Sequence, residues 1–119
     1  MPETTQQTAP AVASAASLTM AMEGSVAVLS LGYAPYNLMD ETLNTELVHG
    51  LEWSQRQGAR AVILRSSLRH FSAGADLDKM VADAATDDVL NWGFAQTLRA
   101  FDRHPAPIIA SVHGVCLGG

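Results

Sequence analysis

The chain has 119 residues, enough for one domain that buries roughly two-thirds of its unfolded surface. It is 48% hydrophobic and 16% charged with a net charge of −5, a balance that excludes the basic face a nucleic-acid partner requires. Its single cysteine, Cys116, cannot close an internal disulfide, and no apolar run approaches the ~18 residues of a membrane span.

The first residues are rich in Ala, Ser and Thr, but no Lys or Arg occurs before Arg56. The basic n-region of an export signal and the Arg-rich pattern of a transit peptide are therefore both missing. Residues 1–20 are read as a disordered leader, residues 21–119 as the folded part, and the protein as soluble and cytoplasmic. Residues 25–31 alternate and read as a strand, broken by the stretch from Gly32 to Pro35. Asp40 stands at an N-cap position with Glu41 in the first turn, and Leu43, Leu47 and Leu51, with Ser54 beyond, share one helical face. Gly58 is placed to stop that helix.

Residues 61–64 form a continuous apolar run, the pattern of a strand covered on both faces, and lead into a loop at 71–77. A short helix is expected over 76–81 and a longer one over 87–103, with Val89, Leu90, Phe94, Leu98 and Phe101 apolar. Pro105 and Pro107 end it. Residues 108–112 read as another buried strand. Strand, helix, strand, helix, strand argues for an α/β fold with parallel pairing and right-handed crossovers.

Two strand ends carry the candidate chemistry. In Ser72-Ala73-Gly74-Ala75-Asp76, Gly74 permits a conformation or a close approach that a Cβ would block. Ala75 would then present a free N–H at the start of a short helix, where donors are unpaired and the potential is positive. Gly118-Gly119 offers a second free N–H by the same logic. Two such donors aimed at one point stabilise an oxyanion in a water-poor site. Taken singly, each segment also fits an ordinary glycine turn, and Asp76 an ordinary helix cap.

Together the segments become specific. Phe-Ser-Ala-Gly-Ala-Asp-Leu at 71–77 resembles the F-x-A-G-A-D-hydrophobic signature of the crotonase (enoyl-CoA hydratase/isomerase) family. Residues 107–119 resemble its P-x-I-A-x-V-x-G-x-x-x-G-G segment, and Asn37-Leu38-Met39 is similar to its N-A-L. The resemblance covers about residues 24–119 and implies the N-terminal part of a crotonase-like spiral. It implies an oxyanion hole from the backbone N–H groups of Ala75 and Gly119, and a CoA site lined by Ser72, Ala73, Gly74, Ala75 and Asp76 with Gly118. The substrate implied is an acyl-CoA thioester handled through its enolate, by a hydratase (a lyase) or an isomerase. Coenzyme A enters only as part of that substrate, with no further cofactor and no metal. A trimeric or hexameric homo-oligomer is implied for the full-length protein, with neither nucleic acid nor membrane as partner.

The chain departs from the family pattern in two places. Gly32-Tyr33-Ala34-Pro35-Tyr36 stands where the family often has N-R-P and nearby cations, with Arg69 and Lys79 as substitutes that read more simply as surface charges. The acid/base carboxylates that follow the glycine turn in the family are not among these residues. The isolated chain is therefore expected to lack turnover, and the alternative reading is a catalytically dead fragment or an acyl-CoA-binding or interaction module.

Other residues read as structural. His70 and His113 are taken as strand-associated, His104 as a helix C-terminal residue, and Cys116 as buried rather than nucleophilic. Ser72 and His70 lack the orienting carboxylate of a triad. Asp83, Asp87 and Asp88 mark a helix start, while Trp53 and Trp92 pack on helix faces or edge an acyl pocket. The glycine spacing at 114–119 does not fit a dinucleotide turn.

Overall fold

Alternation in residues 18–31 sorts side chains to two faces of a sheet, with Leu18, Met20, Ala27, Leu29 and Leu31 on the buried one. The computed structural model describes residues 12–15, 17–76, 78 and 93–118. Among them the elements run β1 (Val12–Ser14), β2 (Leu18–Glu23), β3 (Val26–Leu31), α1 (Glu41–Arg56), β4 (Ala61–Ser66), α2 (Phe94–Arg103) and β5 (Ile108–Ala110). The strands form one sheet in sequence order. β1, β2 and β3 pair antiparallel, whereas β3, β4 and β5 pair parallel, as the alternating pattern requires.

The register explains the core. Ala27 pairs with Val62, Leu29 with Leu64 and Leu31 with Ser66, so their side chains share one face. Leu43, Leu47, Leu51 and Trp53 of α1 cover it. Each such buried leucine contributes roughly 1.5–3 kcal/mol. The opposite face of β4 is less covered than its apolar run predicts: Ala61 and Ile63 are half-buried and Arg65 is exposed.

Both ends of α1 follow local chemistry. Asp40 has an extended backbone and its Oδ1 accepts from Leu43 N at 2.9 Å, the expected N-cap. After the C-cap at Gln57, Gly58 takes φ +72°, its N–H donates to Gln55 O, and Ala59 N–H donates to Ser54 O. That is a Schellman motif, which needs a left-handed residue at the glycine.

Two expectations are corrected here. Part of the stretch read as leader is ordered: Val12–Ser14 and Leu18–Glu23 are strands, and a two-residue turn at Gly24-Ser25 leads from the second of them into β3. Ser17 anchors this hairpin to α1, its N–H and hydroxyl both donating to Glu46 Oε1 at 2.7 and 2.6 Å. The last strand is shorter than 108–112, ending at Ala110. α2 is described from Phe94, and the expected helix at 76–81 and helix start at 87 fall largely outside the described residues.

Candidate functional site

The three parallel strands end on the same side of the sheet, the side where open α/β sheets bind ligands. The segments that follow them stay in register. Met39 bridges Ala75, and Ser72 bridges Cys116, both parallel. The loops after β3, β4 and β5 thus lie side by side, with 71–76 in the middle.

Asn37 holds the first two together. It is fully buried and left-handed at φ +50°, a conformation Asn tolerates better than most residues. Its Oδ1 accepts from Tyr33 N at 2.8 Å, and its Nδ2 donates to Ser66 Oγ at 2.8 Å and Phe71 O at 2.9 Å. Its carbonyl accepts from Ser72 Oγ at 2.8 Å, and Ser72 Oγ in turn accepts from Gly74 N at 3.1 Å. Ser66, at the end of β4, completes the knot by donating to His70 O. Sequence reading flagged Asn37 only as part of a motif and did not single out Ser66. The available signal was a buried-register Ser closing an apolar strand.

The backbone of the middle loop is almost fully used. Ser72 N donates to Val115 O, Ala73 N to Tyr36 O, Gly74 N to Ser72 Oγ, and Asp76 N to Met39 O. Ala75 N has no hydrogen-bond partner among the described residues. A parallel bridge at Met39 uses the groups of Gly74 and Asp76 and turns the N–H of Ala75 away from Met39. It lies beside the last loop: a Cβ built on Gly118 would sit 3.8 Å from it. Among the site residues expected from sequence, Ser72–Asp76 and Gly118 are brought together, while Gly119 lies outside the described residues.

A cavity of ≈ 310 Å³ opens beside these loops, with Ser72, Cys116 and Gly118 on the loop side and Phe94, Leu98 and Phe101 of α2 on the other. Its described lining is mostly apolar and carries no carboxylate, His, Lys or Arg. Ser72 is committed to Asn37 and Gly74, and Thr97 donates to Asn44 Oδ1 at 2.8 Å, so neither hydroxyl proton is left for a ligand.

The remaining candidates have structural posts. His70 Nδ1 accepts from Val115 N, and His113 Nε2 contacts Leu68 O, so both stitch the last loop to the middle one. His113 is exposed and beyond β5 rather than packed within a strand, and Cys116 is exposed rather than buried, because no described element covers that side of the last loop. His104 Nδ1 accepts from Ala106 N, leaving Nε2 to meet Ser54 Oγ at 2.8 Å, which ties α2 to α1. Trp53 is buried on α1, and Trp92, Lys79, Asp83, Asp87 and Asp88 lie outside the described residues. Tyr33 donates to Asp40 Oδ2 at 2.7 Å; this hydrogen bond first, then burial and the carboxylate charge, raises the phenol above its ordinary 10.0. Among the described residues there is no group of three or more metal-ligating side chains, and no helix is long and apolar enough to cross a membrane.

Known proteins share this fold. Residues 21–119 match the family model described as enoyl-CoA hydratase/isomerase. A Bacillus subtilis (strain 168) protein named "Probable enoyl-CoA hydratase" is 31% identical over 86% of this chain and 41% of its own length. The mitochondrial Delta(3,5)-Delta(2,4)-dienoyl-CoA isomerase of Homo sapiens is 32% identical over 70% of this chain and 29% of its own. The crystal structure of an enoyl-CoA hydratase from Shewanella pealeana superposes with a TM-score of 0.69 at 32% identity, over 82% of this chain and 39% of that one. This chain thus spans less than half the length of each. The family model reaches from β2 through all three stitched loops, and on that span the chain belongs to the enoyl-CoA hydratase/isomerase (crotonase) family.

Proposed function

We propose that this chain forms the thioester-binding part of an acyl-CoA enzyme, with the N–H groups of Ala75 and Gly119 stabilising an enolate oxygen. The observation that carries the reading is that, among the described residues, one N–H of an otherwise saturated loop has no partner. Four of the five amides from Ser72 to Asp76 are tied down, and the fifth is Ala75. A fixed donor costs no reorganisation when charge develops on the oxygen, and losing one costs about 2.7–4 kcal/mol in barrier height. The thioester carbonyl would lie at Ala75, and the acyl chain would enter the apolar cavity beside Gly118.

Hydration of a 2-enoyl-CoA is the preferred reaction and double-bond isomerisation the second. The names of the relatives include both a hydratase and a dienoyl-CoA isomerase. CoA is part of the substrate, no metal takes part, and the working protein is a cytoplasmic trimer or hexamer. A second reading, binding without turnover, is favoured by the lining itself. No described side chain of the cavity can act as a carboxylate acid or base.

The test is calorimetric titration of the 119-residue chain with crotonyl-CoA and with free CoA, alongside a hydration assay and sizing of the same sample. Saturable binding of crotonyl-CoA, tighter than free CoA and weakened at least tenfold by Gly74→Ala, is expected, without hydration. Binding no tighter than free CoA overturns the enolate site. Measurable hydration overturns the binding-only reading and leaves the enzyme reading standing.

A further inference from the structure

The apolar cavity has a neighbour. A more open groove of ≈ 570 Å³ lies between α2 and the segment of Pro107, Ile108 and Ala110. Leu64, Leu98 and Phe101 line both spaces. Leu64 is a buried residue of β4, fixed by its pairing with Leu29 and Ala110. Leu98 and Phe101 are three residues apart on α2 and so project from one side of the helix. They stand between the inner cavity and the outer groove.

We propose that Leu98 and Phe101 are the partition that sets the length of acyl chain this protein accepts, and that its substrates are unsubstituted hydrocarbon acyl-CoAs. The inference rests on the thioester reading given above. The inner cavity lies at the small end of ligand sites, which run from about 300 to 1,000 Å³. The two hydroxyls of its described lining, on Ser72 and Thr97, spend their protons on protein acceptors, so an acceptor group on the acyl chain would lose its water and find no hydroxyl donor there. A chain longer than the inner cavity meets Leu98 and Phe101, and the groove beyond them is open. Leu98 is 52% exposed, while the buried residue of α2 is Thr97, so changing Leu98 alters the partition without removing the contact that seats the helix on α1.

The experiment titrates the wild-type chain, Leu98→Ala and Leu98→Trp with saturated acyl-CoAs from butanoyl to dodecanoyl. Wild type is expected to gain about fourfold in affinity per methylene until the inner cavity is full, and to gain nothing beyond. Leu98→Ala moves that limit to longer chains, raising the dodecanoyl-to-octanoyl affinity ratio at least fourfold, and Leu98→Trp moves it to shorter ones. Phe101→Leu, which thins the same wall from its other residue, shifts the limit in the direction of Leu98→Ala. A limit that stays put in all three variants, or a wild-type series without a limit, overturns the partition while leaving acyl-CoA binding intact. Failure of wild type to bind any member of the series more tightly than free CoA overturns the thioester reading and this inference with it.

Discussion

Gly74 and Gly118 face each other across the two stitched loops so closely that a side chain on either would crowd the backbone of the other loop. A Cβ on Gly74 would lie 3.0 Å from Leu117 O, and one on Gly118 would lie 3.3 Å from the Gly74 Cα. Both are left-handed, at φ +92° and +69°. Any L-residue at either position crowds backbone that would have to give way, and it adopts an unfavourable conformation. Gly74→Ala and Gly118→Ala are each expected to cost about 1–3 kcal/mol and to part the loops around Ala75. Urea midpoints read the first effect and crotonyl-CoA titration the second. Wild-type values in both assays would show that the loops are not held by this contact.

Asn37 is the stronger structural dependency. Asn37→Ala leaves Tyr33 N without an acceptor and removes the donor to Phe71 O, a loss of about 2–4 kcal/mol. Asn37→Gly keeps the left-handed backbone but forms none of those bonds, so it should fall between alanine and wild type. Asn37→Asp should be no better than alanine, because it turns an oxygen toward Phe71 O and toward Ser66 Oγ, whose proton is already given to His70 O. Denaturation of the three variants gives the order. Aspartate matching wild type would mean that Nδ2 contributes little.

The contrast between these positions shows which parts of the protein sequence alone could disclose. α1 was legible because its cap at Asp40 and its stop at Gly58 act within a few residues of themselves. β3 was legible from its alternation and β4 and β5 from their apolar runs, although β5 is shorter and more exposed than the buried strand read from its run. β2 was not, since Leu18 and Met20 sit among Ala, Ser and Thr, and only their pairing with Leu31 and Leu29 reveals the strand. Gly24-Ser25, a two-residue hairpin turn with positive φ at its glycine, was the local sign of it. The glycines of the site were legible as turns. Asn37 as a hub was not, because its partner Ser66 lies twenty-nine residues away. Nor could any pattern in 71–77 say which amide remains unpaired, since that depends on Met39, Tyr36 and Val115 in other loops.

Tyr33 gives a pH dependence with a definite sign. Its folded pKa is raised above the ordinary 10.0, principally by donating to Asp40. The contribution is therefore fully present below the unfolded value and is lost as pH climbs through the higher folded one. Above pH 10 the unfolded chain has released a proton that the native chain still holds, so stability falls as pH rises. The stability difference between wild type and Tyr33→Phe is expected to be flat from neutral pH to about 9 and to shrink above 10. Urea unfolding across that range measures it. A difference that stays constant would mean that the phenol titrates equally in both states.

Gly50 separates helix propensity from packing. It lies buried in α1, where replacing glycine by alanine ordinarily gains about 0.8–1 kcal/mol. Here a Cβ would stand 2.7 Å from Leu18 Cδ2, with both Leu29 methyls at 3.4 and 3.6 Å. Leu18 is 1% exposed and Leu29 0%, so neither can turn aside without disturbing the core. Overpacking of this kind costs about 1–3 kcal/mol, which exceeds the propensity gain over most of its range. Gly50→Ala is expected to destabilise by up to about 2 kcal/mol. Leu18→Val in the same background shortens the obstructing side chain, so the double variant should lose less than the sum of the single changes, a coupling that neighbours in contact produce. Additive losses would mean that α1 moves away from β2 to admit the methyl group. An outright gain from Gly50→Ala would mean that the close approach of helix to hairpin is not a tight one.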